Sequence, residues 1–418
     1  MNSRFLNSMI FLAGATGTAS AQIPATDLPT AANEAKPGTE IIVANGSYPN
    51  HNLAITAEGT KDAPVVIRAQ TPGGVIFSGQ SALKLRGRFV VLSGFHFKDG
   101  FSPEKYVVEL DGENCRLTQT VIEGYNPSDP EKEDKWISLK GQNLQVDSCT
   151  FLNKTSPGVT LAVWCRDGGR DQHLIAANLF LNRPKGHKPN GFETIRIGDS
   201  KTLRNHSMTV VQGNLFEACD GEMEIISVKC GRNTIRGNTF MQCAGTLTLR
   251  HGNASLVEGN LFAGKRKKET GGIRVYGKDH VVRGNAIIGT MNRGEGAIAL
   301  QAGNPNPEPH EYHRAESIRL EKNLIVANEG PAVKLDAGLG KDGRTLPPTG
   351  IIAHGNGLSS TDLENLIEGL QSLEPDTIRW EPTNTIFHNN QVPREVTKTI
   401  PPPLKRTDVG AKWFRPLL

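Results

Sequence analysis

The sequence predicts an all-β chain wound as a right-handed, single-stranded parallel β-helix. Three observations carry that expectation. A short unit close to Gly-Asn-apolar-Phe recurs along most of the chain. Its closest copies, from Asn214 through Asn238 and Asn260 to Asn285, lie 22 to 25 residues apart, a solenoid period. The segments between copies are short and β-branched or aromatic, without long helical periodicity.

The copies run in order. They begin as Gly94-Phe95-His96-Phe97, Ser148-Cys149-Thr150-Phe151 and Ala177-Asn178-Leu179-Phe180. They continue as Gly213-Asn214-Leu215-Phe216, Gly237-Asn238-Thr239-Phe240 and Gly259-Asn260-Leu261-Phe262. Weaker copies are Gly284-Asn285-Ala286-Ile287 and Lys322-Asn323-Leu324-Ile325. Strand-like pieces such as Thr209-Val210-Val211 and Thr234-Ile235-Arg236 precede them. A leucine-rich repeat has a similar period but needs a Leu-x-x-Leu-x-Leu register that is missing, and a propeller needs a longer period. In a β-helix each coil buries its inward side chains on its neighbours, and an Asn at the same bend of successive coils can form a side-chain ladder. One helix is expected late, over Thr361 to Leu373, with Thr361 as N-cap and Glu364 three residues on.

The ends and the bulk composition set the context. Arg4, the apolar stretch from Phe5 to Ala15 and Ala19-Ser20-Ala21 read as a secretory signal peptide over residues 1–21, with Gln22 as the mature start. That places the mature protein in the periplasm or outside the cell. No other apolar run approaches the roughly 20 residues of a spanning helix, so no membrane partner is expected. Residues 22–418 then form one β-helix domain with a C-terminal capping segment. A net charge of +4 is too weak to argue for nucleic acid, but it suits a polyanion if the charges cluster. The six cysteines show no CxxC pair and no zinc spacing; they read as small buried core residues.

Stacked coils allow a groove to be read by alignment, since equivalent residues sit about 4.8 Å apart. Four coils align on apolar-basic-x-Gly: Ile195-Arg196-Ile197-Gly198, Val228-Lys229-Cys230-Gly231, Leu249-Arg250-His251-Gly252 and Ile273-Arg274-Val275 with Gly277. The alignment puts Arg196, Lys229, Arg250 and Arg274 on one column, a groove for a polyanion. A solvated charge stripe is the plainer alternative. Just before Lys229, Glu222-Met223-Glu224 places two carboxylates on one side of a strand. One coil earlier, Asn190 lies six residues before Arg196. Two carboxylates and an amide oxygen are hard ligands suited to Ca²⁺.

Such a site suits proton abstraction beside a carboxylate. A uronic acid carries an acidic C–H there, and removing its proton requires the existing negative charge to be neutralised, as a divalent cation can do. A lysine among other cations, partly withdrawn from water, can take the proton. The leaving oxygen needs an acid or electrostatic support, and Arg250 is nearest. Arginine is a poor proton donor, so charge stabilisation with water delivering the proton stays open.

These residues resemble polysaccharide lyase family 6, the family of chondroitinase B and many alginate lyases. The resemblance covers nearly the whole mature chain. It begins at Val43-Ala44-Asn45-Gly46-Ser47-Tyr48, Pro64-Val65-Val66-Ile67-Arg68-Ala69 and Leu92-Ser93-Gly94-Phe95-His96-Phe97. At the centre, Asn190-Gly191-Phe192-Glu193-Thr194-Ile195-Arg196-Ile197-Gly198 is close to the family's Asn-Gly-Gly-Glu-Thr-Ile-Arg-Ile-Gly, departing at Phe192. Arg250-His251-Gly252-Asn253 and Asp408-Val409-Gly410 match as well. The resemblance implies a pectin-lyase-like solenoid and β-elimination at uronates. It implies calcium held by Asn190, Glu222 and Glu224, Lys229 as base and Arg250 as acid. It makes Arg274 a substrate-contacting arginine with His251 beside the substrate, and the basic column adds Arg196 to them. It also implies a monomeric single-helix form, as the long second domain of some members is missing.

Other classes stay in view. A non-catalytic glycan-binding β-helix needs the basic residues but no Lys/Arg/Glu set. A β-helix glycoside hydrolase needs two carboxylates flanking the bond, and Glu222 and Glu224 are crowded for that. Within the lyase reading alginate is preferred and dermatan sulfate is the alternative. The loops Arg183 to Pro189 and Asn304 to Arg314 have no place fixed by the repeat.

Overall fold

The computed structural model describes residues 22–360, 366–373, 377–387 and 392–417. The expected leader, residues 1–21, lies outside the described residues. Nearly every coil contributes one short strand to each of three parallel sheets, so neighbours within a sheet are three strands apart in the chain. Among the described residues the sheets hold 14, 12 and 13 strands. One coil illustrates the rule, with strands Thr234–Arg236, Thr239–Met241 and Gly245–Leu249. The architecture is the expected parallel β-helix.

The repeat has a physical cause at each position. The residue before the repeat Asn is left-handed: φ is +61° at Gly213, +59° at Gly237, +62° at Gly259 and +61° at Gly284. A Cβ at these four glycines would meet nothing within 4 Å. Glycine is therefore favoured there by backbone conformation, not by space, and Ala177 and Lys322 hold the same φ of +53° at some cost. The Asn side chains form a buried ladder. Each amide Nδ2 donates to the next Oδ1 from Asn178 through Asn214, Asn238, Asn260, Asn285, Asn323 and Asn356 to Asn384, at 2.8–3.0 Å. Two residues on, Phe180, Phe216, Phe240 and Phe262 stack face to face, with centroids 4.5–4.8 Å apart. Coil spacing thus repeats in backbone, amide and ring.

The helix Leu28–Glu34 buries Leu28 and Ala32 against the strand Asn52–Glu58 and covers the first coils. From Leu404 onward the C-terminal segment lies along the side of the helix. It runs back along the 13-stranded sheet: Leu404 N–H donates to Thr239 Oγ1, Arg406 pairs with Glu217, and Ala411 N–H donates to Thr150 Oγ1. Trp413 Nε1–H reaches Gln119 O at 2.7 Å. Asp408-Val409-Gly410 belongs to this strap. Val409 packs on Leu179 and Leu215, and at Gly410 (φ +77°) a Cβ would meet Thr150 Oγ1 at 2.6 Å.

The late helix is a correction. Thr361 and Glu364 lie outside the described residues, and the remainder is not α-helical. Ile367–Glu368 is a strand paired with Val333 and Lys334. Gly369 at φ +91° then leads into a single 3-10 turn, Leu370–Ser372. Pairing to the preceding coil and a left-handed glycine override the local helical pattern. The six cysteines are free thiols, five of them buried.

Candidate active site

The site lies on the outer face of the 12-stranded sheet. Ile195 and Ile197, Ile226 and Val228, Leu247 and Leu249, and Ile273 and Val275 all point into the core. The residues alternating with them point outward. The register corrects the single basic column. Arg196 pairs with Ser227, Ser227 with Thr248 and Thr248 with Arg274. Lys229 lies two residues further along, beside Gly198, since its N–H donates to Ile197 O at 2.7 Å. Arg250 and Tyr276 follow above it through Val228 O and Leu249 O. Two columns therefore exist: Arg196 with Arg274, and Lys229 with Arg250. Aligning on the glycine misplaces them because the bend follows Val228 and Leu249 two residues later than it follows Ile197. A two-residue offset preserves the alternation, so all four still face outward.

The carboxylates sit at the strand starts of the same face. A register shift between Glu224 and Ile226 sets Glu224 opposite Thr246. Glu222 Oε2 accepts the Phe192 N–H at 2.8 Å. Burial, then repulsion from Glu193 and Glu224, pushes the Glu222 carboxyl up to about 8. Glu224 accepts a hydrogen bond from Ser227 Oγ and lies 3.7 Å from Arg274 Nη1. Arg274 is itself nearly buried, with Nη2 donating to Tyr276 Oη at 2.8 Å and Nε 3.3 Å from Glu295. The sequence reading missed Glu193 as a site residue. Its Oε1 is 3.9 Å from Lys229 Nζ, and its Oε2 is buried without a hydrogen-bond partner. The signal was present, since Glu193 lies inside the Asn190–Gly198 motif.

Phe192, the departure from the motif, packs beneath its loop. It is buried, and the Arg183 guanidinium lies 5.1 Å from its ring centre. Arg183 is buried and donates to four carbonyls, those of Phe192, Lys154, Ser156 and Gly158. It ties the loop's base to the preceding coil. The loop itself is held by Lys185 to Glu269 and Lys188 to Glu131. It bounds a cavity of about 550 Å³ lined also by Asp220, Glu222 and Met223. Asn190 is exposed on this loop, two residues before Phe192.

At the other edge, the Arg250 guanidinium sits beside two rings, 4.9 Å from the centre of Tyr276 and 4.6 Å from that of Tyr312, which stack on each other. Its Nη atoms donate to Glu311 O and His310 O, at 3.2 and 3.4 Å. The loop from Asn304 to Arg314 is thereby placed over Arg250. His251 is buried, and burial with the neighbouring Arg250 cation pushes its imidazole down to about 2. It is neutral at working pH, able to hydrogen-bond a ligand but not to pair with it as a cation. Arg196 lies apart from Lys229, its guanidinium 5.1 Å from the ring centre of Trp164.

Among the described residues, no group of three or more His, Cys, Asp or Glu side chains is arranged to hold a metal ion. Glu193, Glu222 and Glu224 interact electrostatically without converging as a three-carboxylate claw. The expected set is smaller, two carboxylates and one amide oxygen, and it fits a hard divalent cation on one observation. The Glu222 carboxyl is pushed up to about 8 by burial first and then by Glu193 and Glu224, and a cation beside it would offset both costs of its charge.

The chain matches the family model described as Chondroitinase B over residues 24–398. The PL6 family alginate lyase AlyGC superposes with a TM-score of 0.83 at 30% identity over 92% of this chain, which spans 57% of that protein's length. Pedsa3628, a PL6 polysaccharide lyase from Pseudopedobacter saltans, gives 0.84 at 24% identity, covering 95% of this chain and 100% of that one. A mannuronic acid specific family 6 lyase from human gut microbiota gives 0.78 at 24% identity, covering 95% and 97%. These last two show the fold alone. No curated protein matches. A parallel β-helix matched over nearly its whole described length, with the motif residues gathered on one face, places the chain in the Chondroitinase B family, polysaccharide lyase family 6.

Proposed function

We propose that the protein is a secreted polysaccharide lyase that cleaves alginate by calcium-assisted β-elimination, leaving unsaturated uronate ends. The observation that carries this reading is the adjacency of Lys229 and Arg250 in one outward column, with Glu222 and Glu224 at the strand starts of the same face. Lys229 Nζ takes the proton on the carbon beside the uronate carboxylate. The electron pair forms the new C=C bond as the C–O bond to the next sugar breaks. Glu193 Oε1, 3.9 Å away, faces the ammonium that proton capture creates. Arg250 supports the charge on the departing oxygen, which takes its proton from the arginine or from water. Arg196, His251 and Arg274 border the substrate, and Asn190, Glu222 and Glu224 would hold calcium. Calcium held there would neutralise the uronate carboxylate and so make the adjacent C–H more acidic.

Dermatan sulfate is the second reading, favoured by the match to the Chondroitinase B model. The deciding experiment is ultraviolet absorbance on polymannuronate, polyguluronate, mixed alginate and dermatan sulfate in parallel. Alginate polymers are expected to give unsaturated product; a rise on dermatan sulfate alone would replace the substrate, and no rise on any would remove the lyase reading. Excess chelator should lower the rate at least about 10²-fold, with calcium restoring it. Full activity in chelator would take the cation out of the mechanism.

A further inference from the structure

The column that carries the two central cations extends in the other direction. Lys229 stands beside Gly198, Gly198 N–H donates to Val163 O, and Trp164 N–H donates to Leu139 O. Lys140, Trp164, Gly198, Lys229 and Arg250 therefore follow one another on one outward line. Trp164 is two coils from Lys229, roughly 9–10 Å along the helix axis. Gly198 between them has no side chain. It could not easily carry one, since φ is +76° and a Cβ would meet Thr202 Oγ1 at 2.8 Å and Cys230 Sγ at 3.0 Å. Gly198 itself is buried, with Thr202 and Cys230 packed against it, and so adds no side chain of its own between the indole and the lysine.

Trp164 is partly exposed and fixed in place, with Nε1–H donating to Ser138 Oγ at 3.1 Å. Cations cluster on it: the Arg196 guanidinium at 5.1 Å and Lys105 Nζ at 5.9 Å from the ring centre. Arg196 Nε is buried without a hydrogen-bond partner, a donor left for an acceptor to meet. Toward Tyr276 the same line is covered, because Tyr312 and the carbonyls of His310 and Glu311 lie over Arg250. On the other side the line presents two partly exposed side chains, Trp164 and Lys140.

We infer that Trp164 and Arg196 form a uronate subsite that sets chain-length preference. The indole packs the apolar C–H face of one sugar, Arg196 takes that sugar's carboxylate, and the next sugar continues toward Lys229. This rests on the polyuronate lyase reading. The test is to measure rates on oligomannuronates and oligoguluronates of graded length with the unmodified protein, Trp164→Ala and Trp164→Phe. For Trp164→Ala, KM for the longest oligomers should rise about tenfold more than for the shortest, the loss of roughly one aromatic contact. Trp164→Phe should recover most of that difference. Calorimetric titration of the longest oligomer into Lys229→Ala with and without Trp164→Ala should show the same tenfold loss in affinity. Equal shifts at every length, or none, would overturn the subsite while leaving the lyase reading standing. Absence of unsaturated product from the unmodified protein would instead remove the lyase reading, and the subsite with it.

Discussion

Lys229→Ala should cut kcat on the preferred polymer by about 10³-fold while leaving the fold unchanged. The magnitude is that of losing a positioned general base, 10²–10⁴-fold. The fold should survive because Lys229 projects from the outer face and, among the described residues, its side chain makes a single ion pair, the 3.9 Å contact to Glu193. The backbone bond from Lys229 N–H to Ile197 O holds the coil and persists in alanine. Initial rates by ultraviolet absorbance, paired with circular dichroism and a thermal melt, check both halves. A variant within tenfold of the unmodified rate would sink the base assignment. Arg250 makes a poorer first target. Its side chain lies against Tyr276 and Tyr312 and donates to two carbonyls of the Asn304–Arg314 loop, so Arg250→Ala would disturb the loop as well as the charge.

How much was legible in the sequence follows from what repeats. Gly-Asn-apolar-Phe recurs because every coil needs the same left-handed turn, the same amide rung and the same ring stack. The sequence therefore displays the coil directly. The outward face is constrained less. Lys229, Arg250, Arg196 and Arg274 could be assigned to it by alternation, but not to columns, because bends differ by two residues between coils and only hydrogen-bond register settles that. Glu193 lies within the Asn190–Gly198 motif, but only the packed coils bring its carboxylate to within 3.9 Å of Lys229. Tyr312 could not be read at all, since its loop has no counterpart in other coils. The late helix failed where pairing in a sheet overrode a local pattern.

The rung at Asn238 tests whether the ladder, rather than strand pairing alone, holds the coils together. Asn238 is buried, and its amide makes contacts in both directions. Oδ1 accepts from Asn214 N and Nδ2 at 3.0 and 2.9 Å, while Nδ2 donates to Asn260 Oδ1 and to Val211 O, both at 2.9 Å. In Asn238→Ala some partners find other bonds, since Asn214 Nδ2 still reaches Ile175 O and Asn260 Oδ1 still accepts the Asn238 N–H. Asn214 N–H and Val211 O lose these side-chain bonds where water does not easily reach. At about 1–3 kcal/mol for each unsatisfied group, the loss should be roughly 2–5 kcal/mol. Asn238→Asp should cost more, because a carboxylate cannot donate and would set a charged oxygen against Val211 O and Asn260 Oδ1. Urea unfolding of both variants beside Asn384→Ala provides the comparison. Asn384 ends the ladder in a partly buried position, so its loss should be about 1 kcal/mol. Equal losses at Asn238 and Asn384, or under 1 kcal/mol at Asn238, would mean that strand pairing carries the stack without the amides. Since Asn238 lies on the turn of chain between Lys229 and Arg250, a stability loss there should also lower the temperature at which activity disappears, with little change in rate well below it.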